Sequence, residues 1–505
     1  MFNQVHFKIP KKNVFNLSHE KKLTCKMGRL VPIMCEEVIP GDTWQMNSEI
    51  LMRLAPMLAP VMHRVDVHVH NFFVPNRLIW NEWEDFITGG EDGTANPVMP
   101  YLKLDSGAIA GSLADYLGCP TNTDWPTTAN INALPFRAYH TIYNEYYRDQ
   151  NLQDKTPVAK TSGEDPNTIY MINTAVRAWE KDYFTSALPW TQRGGQVEIP
   201  LLGSAPVVLA DNTDWASLKN TNRTQATDSA LRTEQGNLRG AGDFPLVIDP
   251  NGSLEADLTD VTSATIAELR NAVKLQEWLE KNARGGSRYI EQIKQHFGVT
   301  SSDARLQRPE YLGGGKTPIV MSEVLQTSST DSTSPQANMS GHGVSAGSSM
   351  RWRRSFEEHG YIISIMSVLP KTAYMQGFRR HFLKDDKFQY FWPEFAHIGE
   401  QEVMKSELYH DYTTAPNKEA FGYQSRYSEY KFIPSSVHGD FKESLLYWHM
   451  GRKFSSMPNL NSQFITSDAT ERIFAVEDNS DKCYVQIYND VKAIRPIPRF
   501  SNPSL

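Results

Sequence analysis

The chain has 505 residues, 40% hydrophobic, 11% aromatic and 22% charged, with a formal net charge of −7. That is a globular composition, and its 23 Phe, 21 Tyr and 11 Trp exclude disorder of the whole chain. No run of 18 apolar residues occurs, which excludes a transmembrane helix.

The charge is unevenly spread. Residues 1–30 hold seven cations (Lys8, Lys11, Lys12, Lys21, Lys22, Lys26 and Arg29) against Glu20, so they carry +6 and the remainder carries −13. The last fifteen residues add Lys492, Arg495 and Arg499 without an acid. Basic ends on an acidic body suit phosphate contact. Residues 1–27 read as a basic N-terminal arm. The four cysteines, Cys25, Cys35, Cys119 and Cys483, form no CxxC pair, so they read as small buried hydrophobes in a reducing compartment.

In chain order, Gly28–Val38 and Asp42–Leu54 read as strands around the turn pair Pro40-Gly41. Within Pro60–Val74, Val65, Val67 and Val69 alternate with Asp66, His68 and His70, which predicts one buried and one wet face. Leu78–Ile87 is a helical stripe ended by Gly89-Gly90. Leu134–Arg148 places Phe136, Tyr139, Tyr143, Tyr146 and Tyr147 at helical spacing, the pattern of a packed helix rather than a base-stacking platform.

Residues 203–263 differ in composition, with 29 of 61 positions Gly, Ser, Thr, Asn or Asp and a charge of −5. That is too long for an ordinary connection and predicts an inserted surface excursion, with one short strand at Pro245–Asp249. Thr265–Lys281 and Ser287–Phe297 read as helices, the first with Ile266, Leu269 and Val273 on one face. Ser322–Ser349 reads as a Ser/Thr-rich loop, flexible or shaped by a ligand. Strands return at Tyr361–Leu369, Tyr423–Ile433 and Cys483–Asp490. Pro496 and Pro498 restrict Ala493–Phe500 to an edge strand or an extended arm.

Three strings imitate catalytic motifs. Gly313–Thr317 resembles the end of a phosphate-binding loop, but Glu310 stands where the first glycine belongs and Pro318 interrupts the required helix. Gly343–Gly347 matches G-x-S-x-G but lacks the apolar strand that precedes a nucleophile elbow, and reads as a glycine loop. His68 and His70 share a strand face near His63, with no third metal ligand at a defining spacing. No enzyme signature survives, and neither a cofactor nor a metal is expected.

Longer strings carry a resemblance. Met52–Arg64 (MRLAPMLAPVMHR), Asn71–Trp80 (NFFVPNRLIW), Tyr183–Gly194 (YFTSALPWTQRG), Ala283–Tyr289 (ARGGSRY) and Asp303–Gly314 (DARLQRPEYLGG) resemble the major capsid proteins of the Microviridae, small single-stranded DNA phages, in the gokushovirus branch. The resemblance runs from about Asn13 to the C-terminus.

It implies an all-β, eight-stranded antiparallel jelly roll over 28–505 with long, partly helical insertions. Copies would close into a T=1 icosahedral shell around circular single-stranded DNA, assembled in the bacterial cytoplasm. It also implies an internal scaffolding protein, a DNA pilot protein and a host surface receptor as partners. Residues 203–263 match in position an outward three-fold protrusion, with Trp215, Leu218, Phe244, Leu246 and Ile248 as its packing or attachment residues. Lys8, Lys11, Lys12, Lys21, Lys22, Arg495 and Arg499 are then the candidate DNA-backbone contacts. The competing readings are a carbohydrate-active β-sandwich enzyme and a soluble receptor-binding module.

Overall fold

A computed structural model describes residues 11–104, 108–121, 130–195, 197, 265–327, 330, 336, 338–413 and 415–500, with six three-residue strands inside 198–264. Two compact units result. One is built from the chain up to Thr191 and from Gly285 onward, the other from Gln192–Arg284.

Eleven strands make the two large sheets of the first unit: β1 (Asn13–Asn16), β2 (His19–Cys25), β3 (Val31–Val38), β4 (Thr43–Leu54), β5 (Val65–Pro75), β6 (Glu310–Pro318), β7 (Val320–Leu325), β8 (Met339–Ser348), β9 (Trp352–Ser355), β10 (Gly360–Pro370) and β11 (Cys483–Arg495). In the first sheet β11 pairs β1 and β2 on one side and β4 on the other, β4 continues to β8 and β9, and β8 to β7. The second sheet has the order β6-β5-β10-β3. Every pairing is antiparallel. The strands predicted at 28–38, 42–54, 60–74, 361–369 and 483–490 are thus β3, β4, β5, β10 and β11.

The inner faces of the two sheets meet in two hydrophobic clusters. Ile50, Met52 and Ile487 meet Val67, Val69 and Val368, while Trp44 and Met46 meet Phe73 and Ile362. Each such side chain contributes about 1.5–3 kcal/mol when fully buried. Strands β4 and β11 alternate between buried and open positions, so the first sheet keeps a wet outer face.

The second sheet has no wet face across β5 and β10, and β10 is buried at every residue. Helix α1 (Leu134–Ile142) and the π-turn Tyr143–Tyr147 cover its outer side, with Phe136, Tyr139 and Ile142 against Phe72, Val74 and Ile363. The aromatic stripe of 134–148 is therefore core.

Four expectations need correction. The face of β5 read as wet is covered: Asp66 is 0% and His68 6% exposed, because His68 Nε2 faces Glu180 at 3.5 Å and His70 Nδ1 lies 2.8 Å from Tyr147 Oη. Ser322–Ser349 is not one loop. Most of β7 and all of β8 lie in it, and β8 pairs in register with β4 and β7.

Its glycines are there for proximity. A Cβ on Gly341 would stand 2.3 Å from Ala59 O, and one on Gly347 2.4 Å from Thr317 Oγ1. The strand predicted at Tyr423–Ile433 is Ala420–Ser425, ended by Tyr427 in the left-handed region at φ 62°. Finally, residues 13–25 of the expected arm are β1 and β2, held in the first sheet.

In the second unit three antiparallel pairs nest within one another: Val207–Leu209 with Leu254–Ala256, Leu218–Asn220 with Leu246–Ile248, and Arg232–Glu234 with Asn237–Arg239. Helix α2 (Ile266–Gly285) follows, capped by Thr265, whose Oγ1 accepts from Glu268 N while its own N–H donates to Glu268 Oε2. Its predicted apolar face, Ile266, Leu269 and Val273, is exposed. Helix α3 (Tyr289–Phe297) belongs to the first unit. No helix among the described residues is long and apolar enough to cross a membrane.

Candidate functional site

The basic ends of the chain meet. β1 pairs with the last four residues of β11, Asn13 opposite Arg495 and Asn16 opposite Lys492. Asn13 Nδ2 donates to Ile497 O at 2.8 Å, which fixes the chain beyond the strand as well. Lys11, Lys12, Lys492 and Arg499 are all exposed at this edge of the first sheet.

The candidate cations divide by what the fold does with them. Lys8 lies outside the described residues. Lys11 and Arg499 are open, and Lys22 is exposed beside Glu20 at 3.1 Å. Lys12 is exposed, its Nζ donating to Gly41 O at 2.6 Å.

Lys21 and Arg495 serve the fold instead. Lys21 Nζ donates to Pro32 O and Tyr116 O at 3.1 and 2.5 Å, and burial holds its ammonium below the usual lysine range. Arg495 donates through Nη2 to Glu37 O at 2.6 Å, keeps Nε 3.1 Å from Asp42 Oδ2, and covers the Trp44 ring at 5.0 Å. Trp215 and Phe244 lie outside the described residues. Leu218, Leu246 and Ile248 stand in one strand pair, with Leu218 opposite Ile248.

The wet face of the first sheet adds residues that the charge count passed over. Tyr484 and Tyr488 are 43% and 41% exposed, and in register Tyr484 is flanked by Arg53 and Thr24, Tyr488 by Glu49 and Glu20. Lys22, Arg53 and Lys492 are open on the same strands. The alternation within Cys483–Asp490 was the signal for the two tyrosines. Such a face can neutralise phosphates and stack bases without reading sequence, while Glu20 and Glu49 moderate its charge.

The motif-like strings have structural roles. Gly313–Thr317 lies within β6, and a Cβ on Gly314 would stand 2.5 Å from Val69 O. Ser345 of the elbow-like string lies within β8, 3% exposed, with Oγ donating to Pro318 O at 3.1 Å. Buried in this way it has no route to a substrate. Cys25 and Cys483 are opposed in β2 and β11, both buried, and the contact with Cys25 together with burial holds the Cys483 thiol well above its ordinary value. Among the described residues no group of three His, Cys, Asp or Glu side chains could hold a metal ion.

The relationship to known proteins decides the class. The family described as capsid protein (F protein) matches residues 4–505. The chain belongs to this capsid protein family. It is similar to capsid protein VP1 of Bdellovibrio phage phiMH2K, at 39% identity over 90% of this chain and 87% of that protein. It is also similar to VP1 of Chlamydia phage 1 (36%, covering 100% and 97%) and of Spiroplasma virus 4 (30%, covering 100% and 97%).

These relatives are structural proteins of gokushovirus-like Microviridae, not enzymes. The chain is accordingly a bacteriophage capsid protein, a component of the virion, and membership of a capsid family implies that its copies assemble into a shell. The resemblance seen in the five strings is thereby borne out.

Proposed function

We propose that this capsid protein folds as an eight-stranded jelly roll and closes into a T=1 icosahedral shell around circular single-stranded DNA. The observation that carries the reading is the strand order. One sheet runs β2-β11-β4-β8 and the other β3-β10-β5-β6, all antiparallel. Taking β1, β7 and β9 as additions, the first of the eight core strands pairs with the last and the second with the seventh, which is the winding of a jelly roll.

The converged basic ends face the interior in this reading. Lys11, Lys12, Lys22, Lys492 and Arg499 touch the DNA backbone, with Lys8 as a further candidate, and Lys21 and Arg495 act within the fold. Residues 203–263, within the second unit, form an outward protrusion that meets symmetry copies at the three-fold axis and contributes to host attachment. The net charge of −5 over 203–263 and the exposed apolar face of α2 favour that placement over contact with DNA. An internal scaffolding protein and a DNA pilot protein are the assembly partners, and assembly takes place in the host cytoplasm.

Electron cryo-microscopy of purified particles tests the whole of it. Closed T=1 shells with the basic ends inward and residues 203–263 outward are the expected result. Basic ends on the outer surface would end the DNA-contact role.

A further inference from the structure

The stretch 378–395, with its neighbour 427–433, holds an aromatic surface that the fold leaves open. Short 3-10 turns at Arg380–Phe382, Lys387–Gln389 and Pro393–Phe395 carry it. Turns this short cannot bury long side chains against themselves. Phe382 is 71%, Phe391 54%, Trp392 47%, Phe432 55% and Ile433 79% exposed.

The surface is continuous. Lys384 Nζ lies 5.1 Å from the Tyr390 ring and 4.3 Å from the Tyr430 ring, and Phe391 packs at 5.1 Å on Tyr427 and 6.4 Å from Tyr430. Beside it opens a cleft of about 310 Å³ lined by Tyr183, Tyr374, Lys384, Tyr430, Phe432 and Ile433.

We infer that this aromatic band is a contact between copies of the chain in the shell, its cleft receiving an apolar side chain of the neighbouring copy. The inference rests on the proposed shell and names the surface that closes it. Area argues for a protein partner. With Phe388, Tyr390 and Tyr430, which are 45%, 53% and 56% exposed, eight large side chains offer on the order of 900 Å² of largely apolar surface, against about 800 Å² per partner in a stable interface. Monomeric proteins rarely leave such a patch open, and Phe, Tyr, Trp and Arg are the residues enriched in interfaces.

Charge argues against a nucleic acid here. Residues 379–395 hold four Lys or Arg and three acids. Lys384 is paired with Glu429 at 3.1 Å and Arg380 with Glu407 at 2.7 Å. A strand-binding groove needs cations in excess of its acids, whereas a second copy of a near-neutral surface does not.

Two experiments test it on the full chain. The first substitutes the most exposed members, Phe382→Ser with Ile433→Asp. The subunit is expected to keep the wild-type circular dichroism and melting temperature while the concentration needed for shell formation rises about tenfold or more. Shells forming at the wild-type concentration would overturn the inference.

The second needs no variant. Hydroxyl-radical footprinting compares dissociated wild-type subunits with shells, both DNA-filled and DNA-free. Protection of Phe382, Trp392 and Phe432 in both kinds of shell supports a contact between copies. Equal labelling in subunits and shells overturns it, and protection seen only in filled shells overturns it in favour of DNA. A wild-type chain that never forms shells would remove the shell reading itself, and this inference with it.

Discussion

Arg137 and Asp165 form an ion pair that water does not reach: Nε lies 2.8 Å from Oδ2, and both side chains are 0% exposed. Arg137 Nη1 also donates to Ile79 O at 3.3 Å and Thr161 O at 3.0 Å. One guanidinium therefore ties α1 to the turn after β5 and to the segment before Asp165. Through α1 it holds the cover on the outer face of the second sheet.

A pair of this kind adds little over an apolar replacement of both partners, because each charge has lost its water. Removing one partner is different, since it strands the other charge. Asp165→Ala is expected to cost about 3–5 kcal/mol, read as a lower urea midpoint for the dissociated subunit. The double replacement Arg137→Met with Asp165→Leu should recover much of that loss. A single variant as stable as wild type would remove the pair from the account of how α1 is held.

Gly341 tests whether the glycines of β8 are there for proximity. A Cβ at this position would stand 2.3 Å from Ala59 O, a backbone atom that cannot turn aside. Gly341→Ala should destabilise the subunit by about 1–3 kcal/mol. Gly195 has nothing within 4 Å, so Gly195→Ala serves as the matched control and should be neutral within about 0.5 kcal/mol. Equal melting temperatures for the two variants would count against a packing role.

The histidines of β5 predict an acid limit. Burial first, then Arg177 and Lys316, push the His68 imidazole down to about 3, and burial with Arg177 pushes His70 down to about 4. Asp66 and Glu180 face the same cluster. Both folded values lie below the unfolded value of about 6.5, so below that pH the unfolded chain takes up protons that the folded chain refuses.

The contribution is therefore complete above pH 6.5 and is lost as the pH falls toward 4 and then 3. The loss is about 1.4 kcal/mol per pH unit for each histidine. Denaturation midpoints measured from pH 7.5 to 4.5 should fall less steeply for His68→Gln with His70→Gln than for wild type. Parallel curves would show that these two rings do not set the limit.

The basic ends give a salt-dependence test with an internal contrast. Replacing Lys11, Lys12, Lys22, Lys492 and Arg499 by Gln should lower the salt slope of single-strand binding by about 0.7 per lost contact, with at most about 1 kcal/mol of stability lost at Lys12, whose Nζ donates to Gly41 O. Lys21→Met should do the reverse. Its Nζ bridges Pro32 O and Tyr116 O, so stability falls while the slope stays. Slopes unaffected by the five-fold replacement would remove the ends as DNA contacts.

That contrast shows where sequence reading stops. β3, β4, β5, β10 and β11 were legible because alternation and apolar runs report burial against a sheet partner. α2 was legible from the helical spacing of Ile266, Leu269 and Val273. The fate of each lysine was not, since Lys21 and Lys22 are adjacent and differ only in which side of β2 they take. Nor was the second buried face of β5, where Asp66 and His68 look solvated until Lys316 and Glu180 are placed against them. β8 was hidden because the small residues that let it lie against Ala59 and Thr317 are those that also mark loops. Near-neutral 378–395 gave no charge signal, and its open aromatics could be told from core only by their exposure.

The nested strand pairs of the second unit predict the outcome of a deletion. Each outer pair brings together segments far apart in sequence, Val207–Leu209 with Leu254–Ala256 and Leu218–Asn220 with Leu246–Ile248. The insertion thus leaves and returns along the same path, and cutting it out need not strain the rest. Its loss removes no strand of the two large sheets. Deleting 204–262 and joining the ends with a short Gly/Ser linker should leave subunits that fold and shells that close, because loop closure depends only weakly on length. If residues 203–263 are the attachment protrusion, those shells adsorb poorly to host cells, measured as the fraction of particles depleted from the medium. Wild-type adsorption of the deleted particle would refute the attachment role. Folded subunits that no longer close into shells would instead make this segment a shell contact in its own right, through the symmetry copies that residues 203–263 are proposed to meet at the three-fold axis.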